Sequence, residues 1–361
     1  LNREYIMKKI FKLLLFAISM GSFFNISMSS CTDNAGDGID SIQWNGSKNP
    51  ENSSFRNPIW EPSLEGGTLV KGASSYTAIS ATTQWAAGIS TICPTLSSNN
   101  LMSWSAGNSA FSTSPDWAGG RINSLSVDYA RAVTGATYWM FYTIEGSNSI
   151  GAASGTTAAG PYNDRGVFLT NTDVNSTTLK DPFLIVISTS YYLCYTTDDG
   201  TYIQRVTLNR MRGVAKSGAA IKLTEKAFGN VAIVRINSNR FYLVGTVNKG
   251  TGTEIRYAMA SKITGPYLDK KGTQLTDGST GELLLESGKD IMNPENPMRG
   301  FVNEKGTHVF IAYNATQADK PLMKSGFARK PMFLTPFEIL EDGWLKAPTT
   351  IQKGWTSPRF Q

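Results

Sequence analysis

Acid–base chemistry in this chain has to come from carboxylates. It holds one histidine, His308, and three cysteines, Cys31, Cys93 and Cys194. A single imidazole excludes a multi-histidine metal site, and a nucleophilic triad needs its histidine beside the nucleophile. His308 opens an aromatic run, a place for a packed or surface side chain. Cys93 and Cys194 lie about a hundred residues apart, which is no metal-ligand spacing. Cys194 falls inside an aromatic strand and reads as a buried free thiol. The carboxylates that stand out are Asp128 and Asp181, each ten residues before a run of aromatics. A carboxylate takes a proton from water or gives one to a leaving oxygen, and two of them divide those tasks.

The elements that must bring such residues together are strands. Five aromatic runs begin at Tyr76, Tyr138, Tyr191, Phe241 and Val309, spaced 62, 53, 50 and 68 residues apart. That spacing suits one four-stranded propeller blade with its loops. A turn repeats as well: Gly160-Pro161-Tyr162-Asn163-Asp164 recurs as Gly265-Pro266-Tyr267-Leu268-Asp269, 105 residues later, which is about two blades. No long stretch after residue 32 has apolar residues at helical spacing. The prediction is all-β, a five-bladed β-propeller over residues 56–361, with a β-sandwich as the alternative. In a propeller the innermost strands all start near one mouth of a central channel. Positions about ten residues before each aromatic run therefore converge there: Gly66, Asp128, Asp181, Asn230 and the pair Met298-Arg299.

Composition supports this reading. Only 17% of residues are charged, aromatics make up 11% and there are 34 glycines, a turn-rich β profile. Half of the net charge of +6 sits in residues 1–30, where Arg3, Lys8, Lys9 and Lys12 face Glu4. The remainder has no basic run, so nucleic-acid binding is not expected. Met7-Lys8-Lys9, the apolar stretch Ile10 to Ile26 and the small residues before Cys31 predict a lipoprotein signal peptide over 1–30, with Cys31 as the lipid-bearing residue. Residues 1–6 are expected to precede the start. Asp33, Asp37 and Asp40 resemble the acidic export signals of surface lipoproteins, which implies a lipid-anchored position at the outer surface of the cell envelope. Residues 31–55 read as a flexible tether.

From Asn57 to about Trp344 the chain resembles glycoside hydrolase family 43, the arabinanase and β-xylosidase group. Asn57-Pro58-Ile59-Trp60-Glu61-Pro62-Ser63-Leu64 opens like that family's first blade, and Lys180-Asp181-Pro182-Phe183 is similar to its third-blade motif. Ala260 to Gly272 resembles its inter-blade turn, and Arg329 to Trp344 its closing strand. The resemblance implies inverting hydrolysis, with one carboxylate activating water, a second protonating the leaving oxygen and a third, an aspartate, tuning the acid. Asp181 matches the tuning aspartate, and Asp128 a second-blade aspartate near the sugar. Gly66 stands at the base position with Glu65 beside it. Asn230 stands at the acid position, and the nearest carboxylate is Glu225. No cofactor is expected, and a channel cation would lack the histidine that often accompanies it near Met298-Arg299.

Three functions remain open. In the first, a degenerate glycosidase binds oligo- or polysaccharide of the arabinan or xylan type through Asp128, Asp181, Asn230, Arg299 and the rings of Trp60, Trp85, Trp117 and Trp139. In the second, Glu65 and Glu225 replace the missing base and acid. In the third, the propeller binds a protein. A monomer is expected in each case.

Overall fold

The computed structural model describes residues 54–356, apart from short stretches at 73, 87–88, 116, 118, 133–134, 226–227 and 352–354. The leader, Cys31 and nearly all of the tether lie outside the described residues. Five antiparallel sheets follow one another in chain order. Blade 1 comprises Thr68–Lys71, Tyr76–Ile79, Pro94–Ser98 and Ser105–Ser109. Blade 2 comprises Ile122–Ala132, Gly135–Ile144, Ser149–Gly155 and Asn163–Thr170. Blade 3 runs through Leu179–Ile187, Ser190–Thr197, Gly200–Asn209 and Gly213–Lys216, with Ile221–Glu225 added against its third strand. Blade 4 is Phe228–Asn237, Arg240–Asn248, Thr253–Ala260 and Glu282–Leu285. Blade 5 is Ile291–Val302, His308–Gln317, Met332–Ile339 and Leu345–Lys346.

The first strand of each blade packs against the first strands of its two neighbours, blade 1 against blade 5 included. A closed ring of five inner strands is a five-bladed β-propeller. The five aromatic runs are the second strands of the five blades, so the period read in the sequence is the blade itself. The repeated Gly-Pro-Tyr turn joins the third and fourth strands of blades 2 and 4. Tyr162 donates its hydroxyl hydrogen bond to Ala158 O, and Tyr267 does the same to Ile263 O. The 105-residue shift thus holds down to the acceptor.

Burial explains why the strands sort radially. The inner strand of blade 3 is buried over five consecutive residues, whereas the outer strand of blade 2 is mostly exposed and that of blade 1 wholly so. Five apolar clusters fill the five gaps between blades. Trp60 belongs to the cluster between blades 5 and 1, and Trp139 to the one between blades 2 and 3. Cys93 and Cys194 are buried free thiols in separate clusters.

The ring closes through the lead-in to blade 1. Ser54–Phe55 pairs with Trp355–Thr356, and the main chain at Ile59 and Trp60 bonds to Met332. The Asn57 amide donates to Leu334 O and Ile351 O, and its Oδ1 accepts from Leu334 N–H. One side chain therefore ties the first-built segment to the last blade.

Candidate functional site

At the mouth, four inner strands each present a residue in the left-handed region within or just before the strand: Gly66 (φ 54°), Asp181 (φ 54°), Asn230 (φ 45°) and Asn296 (φ 50°). Asp and Asn are the side-chain-bearing residues that tolerate this conformation best. In blades 3, 4 and 5 the residue lies in a break of strand register, a bulge that turns the side chain toward the axis. All four line one cavity of about 20 Å³ at the channel mouth, together with Ser124. That is room for about one water molecule.

Asp181 is the one carboxylate among these positions. It is 9% exposed and accepts a hydrogen bond from the main-chain N–H of Asn230. Lys180 Nζ lies 3.8 Å from its Oδ2. Burial pushes its acidity up from the usual carboxylate range; Lys180 and the Asn230 N–H pull it partly back, and Glu295 adds a smaller upward push. A raised native pKa means that the folded state binds the proton more tightly than the unfolded chain does. Stability contributed by this group is therefore present at low pH and lost as pH rises through the native pKa. Asp181→Asn is expected to melt no lower than the wild type at neutral pH. Its advantage should shrink as pH falls through the carboxylate range, a trend that melting curves over a pH series would check.

Gly66 has no side chain, and the space where one would project is taken. A Cβ there would overlap the main-chain oxygen of Asn123 in blade 2. Glu65 is directed into a neighbouring cavity of about 350 Å³, lined also by Asn123, Arg121, Glu145, Phe327 and Lys330. Ser63 donates to its Oε1 at 3.1 Å. Lys330 feels Glu65 and forms a 2.7 Å ion pair with Glu295. Glu295 and Lys330 are therefore mouth residues that sequence spacing missed. The inner strand of blade 5 carries two breaks of register, so counting ten residues back from Val309 stops short at Met298-Arg299 and does not reach Asn296. The signal present was the doubled Asn-Pro in Asn293-Pro294-Glu295-Asn296-Pro297, a turn marker.

Several expected site residues lie elsewhere. Asp128 sits deeper in the channel, paired with Arg299 of blade 5 at 3.2 Å. Its Oδ1 accepts from Tyr129 N–H and its Oδ2 from Val186 N–H. Arg299 also donates to Val127 O and Leu184 O, which makes it a strut across three blades and not a sugar contact. The ten-residue count failed here because the aromatic run starts three residues into its strand; Ser124 and Leu125 are the blade 2 residues at the mouth. Glu225 lies on the mouth side but on the added outer strand of blade 3, bound to Lys222 at 3.1 Å. Trp60 and Trp139 are 0% exposed, closed to any ligand by the blades they cement. Trp117 is partly buried, donating to the Tyr142 hydroxyl and tilted against that ring. The Trp85 side chain lies outside the described residues. His308 is half-buried at the far end of the channel, beside Thr307. Among the described residues no group of three or more His, Cys, Asp or Glu is placed to hold a metal ion.

Residues 55–345 match the family model described as Glycosyl hydrolases family 43. The extracellular endo-alpha-(1->5)-L-arabinanase 1 of Bacillus subtilis (strain 168) is 24% identical over 247 residues, 63% of this chain and 73% of that protein. The structure of Cellvibrio cellulosa alpha-L-arabinanase complexed with arabinohexaose is similar with a TM-score of 0.62 at 14% identity, over 83% of this chain and 95% of its own. The family 43 endo-arabinanase of Bacillus licheniformis gives 0.60 at 20% identity, over 79% and 98%.

Proposed function

The chain belongs to glycosyl hydrolase family 43, and from that premise we propose that it binds arabinan-type oligosaccharide at the channel mouth without hydrolysing it. The observation that carries this reading is the identity of the four left-handed mouth residues, Gly66, Asp181, Asn230 and Asn296. They occupy corresponding places on four blades, and one of the four is an acid. Inverting hydrolysis needs a base and an acid about 6.5–9.5 Å apart on opposite sides of the scissile bond. An amide at Asn230 cannot give and regain a proton, and Gly66 offers nothing to activate water. Asp181 is a tuning group left without an acid to tune. It still accepts hydrogen bonds, as do Asn230 and Asn296, and sugar hydroxyls need such acceptors. The substrate class is taken from the arabinanase relatives.

The second reading, an enzyme with shifted carboxylates, is favoured by one observation: Glu65 and Glu295 both lie beside Lys330 near the mouth. One experiment separates the two. Linear arabinan and arabino-oligosaccharides are incubated with the wild type, Glu65→Gln, Glu295→Gln and Glu225→Gln, and binding is followed by calorimetry. Each positioned acid or base supplies about 10²–10⁴ in rate, so loss of both leaves turnover at background while binding stays measurable. Wild-type turnover abolished by Glu65→Gln or Glu295→Gln sinks the binder reading. Lipid at Cys31 would hold this site at the cell envelope; Cys31→Ala should then leave the membrane fraction in detergent-free buffer.

A further inference from the structure

We propose that the cleft between blades 2 and 3, outward of the channel mouth, is a second glycan site that takes one neutral sugar unit; it rests on the glycan reading above. A cavity of about 230 Å³ lies there, lined among others by Val174, Tyr195, Tyr202, Gln204, Asp173 and Lys216. Its floor is one face of the blade 3 sheet. Tyr195 and Tyr202 are cross-strand partners whose rings lie nearly parallel, 13° apart with centroids at 6.0 Å. Tyr202 is held by its hydroxyl bond to Asp199 at 2.8 Å. The half-buried Tyr202 ring is the one that can stack against the C–H face of a sugar, with the buried Tyr195 ring behind it.

Two polar atoms at the cavity have no protein hydrogen-bond partner among the described residues. Tyr195 is 2% exposed, and its hydroxyl has no hydrogen-bond partner among the described residues. Burial pushes that hydroxyl up to about 12, so it stays a neutral donor and acceptor. Gln204 is 7% exposed; its Nε2 donates to Gly218 O, and its Oε1 has no partner among the described residues. Neither atom is among the fully sealed ones, so both open on the cavity and offer a hydroxyl and an amide oxygen to a polyhydroxylated ligand. Charge argues for a neutral one. Lys216 and Asp173 at the rim pair with each other at 3.3 Å and leave no excess cation for an acidic sugar.

The cleft sits where one glycan chain can reach both sites. Lys180 pairs with Thr196 and Phe183 with Cys194, so Tyr195 lies opposite the Asp181-Pro182 bulge, one strand outward. Tyr202 is one strand further, about 10 Å from the inner strand at ordinary strand spacing. A chain that occupies both sites gains affinity over one too short to span them.

The test is calorimetric titration of arabinobiose and arabinohexaose into the wild type, Tyr195→Phe, Tyr202→Ala, Asp181→Asn and the double variant Asp181→Asn/Tyr202→Ala. Tyr195→Phe deletes one hydroxyl and keeps the ring, so its result does not turn on misfolding. Arabinohexaose affinity should fall about fivefold in Tyr195→Phe and about tenfold in Tyr202→Ala. The preference for the longer sugar should disappear in Tyr202→Ala, and binding that survives Asp181→Asn should vanish in the double variant. Unchanged arabinohexaose affinity in both tyrosine variants overturns the second site and leaves the mouth reading standing. Affinity lost in the tyrosine variants but untouched by Asp181→Asn keeps the cleft and overturns the mouth. A wild type that binds neither sugar overturns both.

Discussion

Arg299→Met should lower stability by about 3–5 kcal/mol, the usual consequence of removing one partner of a buried ion pair. The guanidinium is 16% exposed and its side-chain partner Asp128 11%. Without it, Asp128 is left in the channel with two main-chain N–H groups as its remaining partners, and Val127 O and Leu184 O lose their donor. The strut joins blade 5 to blades 2 and 3, so the loss falls on the ring and not on one sheet. A fall in melting temperature of about 5–8 °C is expected for a domain of this size. Arg299→Met/Asp128→Asn should recover part of it, because the amide oxygen still accepts from one of the two main-chain N–H groups and leaves no carboxylate in place of the ion pair. A single variant that melts with the wild type would contradict the strut.

Gly66→Asp should destabilise and restore nothing, even combined with Asn230→Glu. A left-handed backbone costs a residue with a Cβ about 1–2 kcal/mol, and forcing atoms into a filled space costs about 1–3 kcal/mol more. The obstacle is the main-chain oxygen of Asn123, which cannot rotate aside as a side chain would. The hydrogen bond from Leu125 N–H to Gly66 O fastens the same two blades, so separating them breaks it. A drop of about 3–8 °C in melting temperature is expected. Gly146→Ala is the control. Gly146 also has a positive φ (78°), but a Cβ added there would meet nothing within 4 Å among the described residues. On the binder reading proposed above, a carboxylate at Gly66 would require blade 2 to move as well, so the loss of chemistry is built into the packing. Hydrolysis by the double variant would refute this account.

The fold was legible because its repeat is carried by aromatic second strands that every blade needs to fill the gap beside it. Asp181 and Asn230 were legible for the same reason: the hairpin that links inner and second strand has nearly the same length in blades 3 and 4. Asp128 and Arg299 were misread as mouth residues where that length changes, through a late aromatic start in blade 2 and a doubled bulge in blade 5. Bulges leave no periodic trace, so Glu295 and Asn296 were passed over although two Asn-Pro turns flagged the spot. Trp60 and Trp139 show the other limit. An aromatic residue suits a sugar face and a blade interface equally well, and sequence does not say which neighbour it meets.

The clasp at Asn57 bears on how the chain reaches this state during its own synthesis. Leu334, to which Asn57 bonds, lies 277 residues further along. At ordinary rates of about 5–20 residues per second, the ribosome needs about 15–55 s to deliver it. Through that interval the first blade waits beside an unfilled place in the ring, with Ile59, Trp60 and Leu64 lacking the Met298, Phe310, Met332 and Leu334 that later cover them. A stack of repeats is sealed by each neighbour as it emerges. A circle is sealed once, by its final member. The nascent domain therefore carries its most vulnerable apolar surface at the end made first, and holds it open longest.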